Sequence, residues 1–508
     1  METTEEKKKS KWNVAAGILL TVQALLGAAA VGVTVWLNVL PTLYVTLVGL
    51  VLLLLAILVF ALFYIGKKKS VGRYIRRTLG CILSLACMAL SVAGSYMLVK
   101  AGNTLHDITD NVVTTDTVSA YVMNYDPAQT LTDAKDYVFA ITENYDTEHT
   151  QKAIAQINEA TGTTIKTRVY EDILAMVDAL YSGEADAMLM NTAYVDVVEA
   201  QDGYDTFSAR TRTLYDHEEE TVVTQDETTL EKDITRDPFV VYISGSDTRT
   251  LKLETSRSDV NILVVVNPST KQVLLINTPR DYYVDTAASA GAKDKLTHCG
   301  IYGIDCSMAT LGNLYDEHVD YYAQINFNGF KTLVDAVGGI TVEAEKSFRT
   351  SEGGFYINQG VNNLNGTVAL SYVRERKSFA DGDNSRGRHQ MQAIEALIKK
   401  ITSGTTVLSN YSAIMDSMSG MFTTSMSSEE IAALVRMQLS DLASWNVKSY
   451  AVSGTGGSTT TYSMPTKRSY VMYPDEVQVK YAEELVNKVV DGEILTDADL
   501  EVPDNVVQ

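Results

Sequence analysis

Basic charge is scarce in this 508-residue chain: 42 Lys and Arg stand against 63 Asp and Glu, a net charge of −21. That balance argues against nucleic acid as the partner, because non-specific binding to it is driven by phosphate neutralisation. Cysteine is also rare, four in all. Cys81 and Cys87 lie in an apolar run and read as inert core residues. Cys299 and Cys306 flank Gly300, Gly303 and Asp305, and suit either one disulfide on an oxidising side or two free thiols; spacing allows both. Among the six histidines, His298, His318 and His389 do not form a metal triad. No internal repeat is visible. No small-residue cleavage pattern follows a single short apolar core, which sets aside a cleaved signal peptide. Ser244-Gly245-Ser246 lacks the Gly-x-Ser-x-Gly context of a hydrolase elbow.

Long apolar runs, by contrast, are present. Val14–Leu37, Thr42–Ile65 and Leu79–Val99 each suit a bilayer-spanning helix, which takes about 20 apolar residues. Pro41 separates the first two by a very short turn. Residues 1–100 hold eleven Lys/Arg against three Asp/Glu, a net of +8, so the remainder carries −29. Lys7, Lys8, Lys9 and Lys11 precede the first run; Lys67, Lys68, Lys69, Arg73, Arg76 and Arg77 separate the second from the third. Both clusters belong on the cytoplasmic side. Three spans that start inside end outside, so the chain after about residue 100 is expected to be exocytoplasmic.

Two globular parts follow. Between 117 and 215, strands at Val118–Met123, Ile165–Tyr170 and Ala187–Met190 alternate with helices at Thr147–Ala160 and Glu171–Leu180, implying a small α/β domain. Its Asp172, Asp178 and Asp186 are scattered without catalytic spacing. The polar stretch 216–237 reads as an acidic linker. From 238 a second α/β domain is expected, with its core to 402 and its completion over 403–492. Phe239–Ser244 and Val260–Val266 are continuous β-branched runs of buried strands, and Gln272–Ile276 closes a hairpin. Further strands are expected at Tyr321–Phe327, Ile340–Glu345 and Val368–Val373. Helices are expected at Met308–Asp316, Phe330–Val337, Arg388–Ile401, Ser428–Leu442 and Asp475–Val490, and an acidic tail over 493–508.

Against the acidic background one segment is dense in arginine. Tyr372-Val373-Arg374-Glu375-Arg376 and Asp383-Asn384-Ser385-Arg386-Gly387-Arg388-His389-Gln390 fall within nineteen residues. Guanidinium offers a planar fork of donors that suits phosphate and never deprotonates. Alone, the segment would equally serve a salt-bridged surface helix. Three more clusters stand at strand ends, where ligand groups collect in α/β sheets: Asp247-Thr248-Arg249, Arg257-Ser258-Asp259 and Pro279-Arg280-Asp281. Asp247 and Asp259 suit a hard divalent cation, which binds through one or two carboxylates plus substrate phosphates. The arginines would hold phosphate oxygens and stabilise charge developing in transfer.

In this order, with Val334-Asp335-Ala336-Val337-Gly338-Gly339-Ile340 and Leu364-Asn365-Gly366, these motifs over residues 238–402 resemble the LytR-CpsA-Psr (LCP) family. The three spans and the small domain resemble its capsule-type members. The resemblance implies an α-β-α sandwich with a central mixed sheet, and a hydrophobic tunnel for a polyprenyl chain. It implies transfer of a glycopolymer (capsular polysaccharide, teichoic acid or similar) from an undecaprenyl-pyrophosphate carrier to peptidoglycan at a Gram-positive cell membrane. Asp247 and Asp259 match the holders of Mg²⁺, with Mn²⁺ as its substitute. Arg257, Arg280, Arg374 and Arg386 match pyrophosphate ligands, with Gln390 beside them, and Lys295 takes the place of a family lysine near the phosphates or is an exposed loop lysine. Arg249 and Arg376 contact ligand or pair with neighbouring carboxylates. Asp383 is the candidate for orienting an arginine or deprotonating the acceptor. The family more usually has arginine immediately before the glutamine; here that position is His389, with Arg388 the available substitute. Two further readings compete: a non-catalytic polymer- or lipid-binding regulator, and a lipid-pyrophosphate hydrolase. The intact aspartates and arginines favour the transferase.

Overall fold

The computed structural model describes residues 4–65, 71–110, 112–223, 232–246, 253–289, 291–380, 382–403, 414 and 420–501. The chain divides into two units, Met1–Asp107 with Thr402–Asp416 and Ser427–Ala443, and Ile108–Ile401 with Ser417–Met426 and Ser444–Gln508.

The first unit is helical. Its helices α1 (Thr4–Leu37), α2 (Thr42–Tyr64) and α3 (Val71–Asp110) contain three segments long and apolar enough to cross a membrane, at Trp12–Leu37, Thr42–Tyr64 and Val71–His106. Pro41 caps α2, where its missing N–H costs nothing. Leucines such as Leu25, Leu54 and Leu90 stand exposed, as side chains meant for lipid do. The hydroxyls of Thr21, Thr34 and Thr46 donate to carbonyls four residues back, which keeps them satisfied in an apolar medium. The amphipathic helix Ser428–Asp441 also belongs to this unit and opens on a capping box formed by Ser427 and Glu430.

The second unit begins with a five-stranded sheet. Its elements are β1 (Val112–Met123), β2 (Val138–Thr142), α4 (Thr147–Thr161), β3 (Lys166–Tyr170), α5 (Ile173–Ser182), β4 (Ala187–Asn191), α6 (Val195–Glu199), α7 (Phe207–Arg210) and β5 (Thr211–Val223). The strand order is β3-β2-β4-β1-β5. The scattered aspartates are structural: Asp172 caps α5, Asp178 accepts from the Tyr204 hydroxyl, and Asp186 accepts from the Val138 amide. Composition misread the start of the acidic stretch. Residues 216–223 are not a linker but the second half of β5, laddered along β1. Backbone pairing with β1 overrides their polarity, and the charges find partners, Asp216 with Ser119 and Glu219 with Lys152. Residues 224–231 of that stretch lie outside the described residues.

The larger sheet comprises β6 (Phe239–Ser246), β7 (Ser258–Asn267), β8 (Gln272–Asn277), β11 (Tyr321–Asn326), β16 (Phe422–Thr424) and β17 (Asn446–Ala451), in the order β16-β11-β6-β7-β8-β17. β6, β7 and β8 are antiparallel neighbours, whereas β11 runs parallel to β6 and β17 to β8, so the sheet is mixed. Side chains alternate between its faces. Leu263, Val265, Leu274 and Ile276 pack with Leu311 of α8 (Ile304–Tyr315) and with Leu485 and Val489 of the helix Glu476–Val490. Ile262, Val264 and Leu275 face the other way, onto Met391 of α11 (Gly382–Thr402). Helices thus cover both faces. Smaller pairs flank the sheet: β9 (Tyr283–Asp285) with β10 (Lys293–Lys295), β12 (Ile340–Ala344) with β15 (Gly360–Leu364), β13 (Phe348–Arg349) with β14 (Tyr356–Ile357), and β18 (Gly454–Thr459) with β19 (Ser469–Pro474). Helices α9 (Phe327–Ala336) and α10 (Gly366–Val373) complete the unit.

Three expectations are corrected here. Val368–Val373 is not a strand but most of α10, opened by the Asn365 side chain accepting from the Val368 amide. A short apolar run does not separate buried strand from buried helix by periodicity. Helix α11 starts at Gly382, ahead of the expected Arg388, because its first turn is polar and carries no apolar stripe. The tail is packed at its start: Leu495 is buried, its amide donates to Gln272, and Asp497 pairs with Lys448. Cys299 and Cys306 are both buried and free.

Candidate functional site

Three local devices bring the charged residues together. Arg257 and Asp259 stand at the start of β7. The short 3-10 helix Leu296–Tyr302 is pressed against them: a Cβ on Gly300 would lie 2.5 Å from the Ser256 carbonyl and 2.6 Å from the Ser258 amide. Arg280 and Asp281 follow β8, in a turn pinned by the Thr278 amide on the Asn261 carbonyl (2.9 Å) and by the Thr278 hydroxyl against the Tyr315 hydroxyl (2.8 Å). The first turns of α11 carry Asp383, Arg386 and Gln390, at spacings of three and four that place them on one face.

An alternating network results. The Arg280 guanidinium donates to Asp259 at 2.9 Å and lies 3.7 Å from Asp281 and 4.0 Å from Asp383. Asp383 accepts from Arg386 at 3.2 Å and from Arg376 at 3.4 Å. Lys295 reaches Asp281 at 3.2 Å. Arg257 pairs at 2.8 Å with Asp196 of α6, which comes from the small sheet's domain. Arg374 pairs with Glu352 and lies 4.3 Å over the Phe327 ring. Asp259 and Arg280 keep only 14% and 17% side-chain exposure, so the charges interact through little water. Burial would push the Asp259 carboxyl up; the charges of Arg280, Arg257 and Arg386 and the bond from Arg280 outweigh it and hold it well below the usual range. The Arg280 guanidinium is raised, its burial outweighed by Asp259, Asp281 and Asp383. Arg386 is lowered, by burial first.

These groups form one end of a cavity of about 400 Å³ whose lining includes Arg257, Asp259, Arg280, Arg374, Arg376, Arg386 and Gln390. Apart from Asn326 and Glu352 the rest of its lining is apolar, including Phe330, Leu333, Leu370, Ile394, Leu397 and Ile401. Such a cavity suits an amphipathic molecule with an anionic head and a hydrocarbon body. The Nε atoms of Arg280 and Arg386 are buried and lack a hydrogen-bond partner among the described residues. Buried donors left open in this way call for an acceptor that arrives with the ligand.

Most of the expected site residues therefore converge. Lys295 is not an exposed loop lysine; it is buried and enters the network through Asp281 without lining the cavity. Arg376 both lines the cavity and pairs with Asp383. Arg388 does not substitute at the site, because it pairs with Glu345 at 3.0 Å. His389 points inward, stacked on Phe348 and tilted against Tyr372 at a centroid distance of 4.2 Å, and it does not line the cavity. Asp247 and Arg249 lie outside the described residues. No group of three or more His, Cys, Asp or Glu that could hold a metal occurs among the described residues. The ionised carboxylate of Asp259 at the cavity wall nonetheless fits a cation shared with ligand phosphates. Three carboxylates were missed: Asp281, Asp196 and Glu352, the last pairing with Arg374 and lining the cavity without any motif to mark it. Asp281 stood in the Pro-Arg-Asp motif, a visible signal. Asp196 had none, since only the packing of the two sheets brings it to Arg257.

The family described as LytR_cpsA_psr matches residues 197–477. The polyisoprenyl-teichoic acid–peptidoglycan teichoic acid transferase TagU of Enterococcus faecalis is 35% identical over 223 residues, 44% of this chain and 72% of that protein. TagT of Bacillus subtilis, which bears the same transferase description, is 35% identical over 193 residues, 36% of this chain and 58% of its own length. The crystal structure of B. subtilis TagV is similar with a TM-score of 0.43 and 26% identity, over 50% of this chain and 98% of that one.

Proposed function

Because the chain belongs to the LytR-CpsA-Psr family, we propose that it is a membrane-anchored phosphotransferase. It moves a glycopolymer (teichoic acid, capsular polysaccharide or similar) from an undecaprenyl-pyrophosphate carrier to a peptidoglycan hydroxyl on the outer side of the membrane. The observation that carries this reading is the cavity itself, with arginines around an ionised aspartate and a remainder that is mostly hydrocarbon. A polyprenyl pyrophosphate has that shape and polarity.

In the proposed reaction the oxygen of the acceptor hydroxyl bonds to the phosphorus that bears the glycan, and its proton passes to the leaving phosphate. The bond from that phosphorus to the bridging oxygen breaks, and undecaprenyl phosphate leaves. Arg280 and Arg386 offer their open Nε donors to the phosphate oxygens, and Arg257, Arg374 and Arg376 add charge around them. Fixed donors of this kind stabilise transition-state charge without having to reorganise. Asp383, bonded by Arg376 and Arg386 and near Arg280, orients the guanidinium forks. Asp259, together with Asp247, would hold Mg²⁺ or Mn²⁺, which when bound supplies further neutralisation of the pyrophosphate. The apolar walls take up the isoprene units.

A hydrolase would use the same site with water as acceptor, and a regulator would bind the carrier without turnover. Incubation of the purified protein with a lipid-pyrophosphate-linked glycan and peptidoglycan oligomers, with Mg²⁺ or with chelator, separates the three. A phosphodiester-linked product lost on chelation supports the proposal; a free glycan phosphate, or no turnover, overturns it.

A further inference from the structure

We propose that the cavity of about 480 Å³ between the small-sheet domain and the β9–β10 hairpin, bordered by Tyr145, Tyr283, Tyr462, Asn144 and Lys293, is a saccharide-binding subsite. It takes sugar units of a glycan whose phosphate end lies among the arginines, and in that respect it rests on the function proposed above.

Continuity with the arginine site comes first. In the β9–β10 hairpin Lys295 lies opposite Tyr283 and Lys293 opposite Asp285, so Tyr283, Lys293 and Lys295 share one face. Lys295 is tied through Asp281 to the arginine cluster. Its cross-strand neighbour Tyr283, and Lys293 two residues along the strand, border the cavity. The two lysines are separated by about 7 Å of strand. A glycan leaving the phosphates along this hairpin therefore runs into the cavity.

The lining has the chemistry of sugar recognition. Tyrosine rings offer flat faces to the C–H faces of pyranoses, and two of these hydroxyls are already occupied: Tyr145 donates to the Tyr462 carbonyl at 3.0 Å and Tyr283 to the Thr460 carbonyl at 3.2 Å. The rings are also braced, Tyr145 edge-on to Tyr462 at 6.1 Å and Tyr283 edge-on to Tyr473 at 5.8 Å. The Asn144 amide and Lys293 ammonium supply polar contacts for sugar hydroxyls and carbonyls. The large aliphatic side chains that line the other cavity have no counterpart among the residues bordering this one, so hydrocarbon is the poorer occupant.

The subsite is preorganised as well. Met464 and Ile301, from the larger domain, are buried in the apolar cluster of the smaller one alongside Tyr145, Leu174 and Tyr194. The Gln201 amide donates to the Ser469 hydroxyl across the same seam at 2.9 Å. Tyr145 and Tyr462 are thus fixed before any ligand arrives, which lowers the entropic cost of binding.

The sugar could belong to the lipid-linked donor or to the peptidoglycan acceptor. Steady-state kinetics of the full chain in detergent distinguish the two, using donors that carry a single sugar or a long glycan and acceptors of increasing length. Tyr462→Ala and Lys293→Ala are compared with Tyr462→Phe, which keeps the ring. The Ala variants are expected to raise KM roughly tenfold, a stacking contribution of ordinary size, for the long donor if the donor glycan binds there or for the long acceptor if peptidoglycan does. The kcat for single-sugar donors and Tyr462→Phe stay at wild-type values. Unchanged KM for both long substrates in both Ala variants would overturn the subsite. Saturation-transfer NMR with a soluble peptidoglycan tetrasaccharide and with the free long glycan tests it without turnover. If wild type transfers nothing yet binds either glycan in a Tyr462-dependent way, the subsite stands and the phosphotransferase reading fails.

Discussion

Replacing Asp259 by Asn keeps the side chain's shape and removes one charge from the centre of the arginine cluster. The structure predicts a loss of stability and an altered affinity whose sign depends on metal. Asp259 accepts from Arg280 at 2.9 Å and, more weakly, from the Thr297 hydroxyl at 3.4 Å. Breaking a buried pair costs about 3–5 kcal/mol. Arg280 keeps Asp281 and Asp383 nearby, so the lower end applies, about 3 kcal/mol and a Tm lower by on the order of 10 °C. The same change removes a negative charge facing any bound pyrophosphate. One unit charge at about 6 Å and an effective dielectric near 20 is worth about 3 kcal/mol, roughly a hundredfold in affinity. In chelator, inorganic pyrophosphate should therefore bind Asp259→Asn more tightly than wild type, by up to that factor. With Mg²⁺ the order should reverse, because the variant loses a ligand for the cation. Thermal melting and calorimetric titration of inorganic pyrophosphate, each with and without Mg²⁺, provide the assay. A variant that melts with wild type and binds pyrophosphate equally in both conditions would refute the placement of Asp259 in the anion site.

His389, 2% exposed among Phe348, Tyr372 and Phe379, has its pKa pushed down to about 4, chiefly by burial. The unfolded chain protonates near 6.5, so this stabilisation is complete above that pH and is lost as pH falls from about 6.5 to about 4, about 3 kcal/mol in all. Urea melts across that window should show a steeper loss for wild type than for His389→Phe; parallel curves would contradict it. Gly300→Ala forces a Cβ against the backbone of Ser256, Arg257 and Ser258, so it should cost about 1–3 kcal/mol and lower transfer activity by displacing Arg257 and Asp259; wild-type turnover would be the contrary result. Asp196→Ala removes a half-exposed competitor for Arg257. It should change stability by less than about 1 kcal/mol while lowering the donor KM by about threefold, whereas a raised KM would show that Asp196 positions Arg257 instead.

Four strands of the larger sheet were legible because they are largely buried apolar runs rich in β-branched residues, as at Ile262–Val266; the short edge strands Phe422–Thr424 and Asn446–Ala451 carry no such run and were not expected. The arginine network was legible because its members sit in short motifs beside those strands. What escaped notice depended on tertiary contact. The acidic residues of β5 read as a linker until β1 supplied their ladder. Val368–Val373 has the β-branched look of a strand, yet Asn365 caps it into a helix and the Gly366 amide donates to Asp335 at the end of α9. Asp196 lies outside every motif and reaches Arg257 only because Ile301 and Met464 lock the two sheets together. His389, a departure from the usual family pattern, is explained by the aromatic pocket it fills.

The central claim is that the arginine-lined cavity transfers a glycan phosphate from a polyprenyl carrier to a peptidoglycan hydroxyl. Mass spectrometry of a reaction between purified protein, lipid-pyrophosphate-linked glycan and a peptidoglycan oligomer tests it directly. The account predicts one phosphodiester-linked product for each undecaprenyl phosphate released, with Arg280→Ala losing a hundredfold or more of the rate, about the loss expected when a transition-state donor is removed. Release of undecaprenyl phosphate without a linked product, or undiminished transfer by Arg280→Ala, would contradict it.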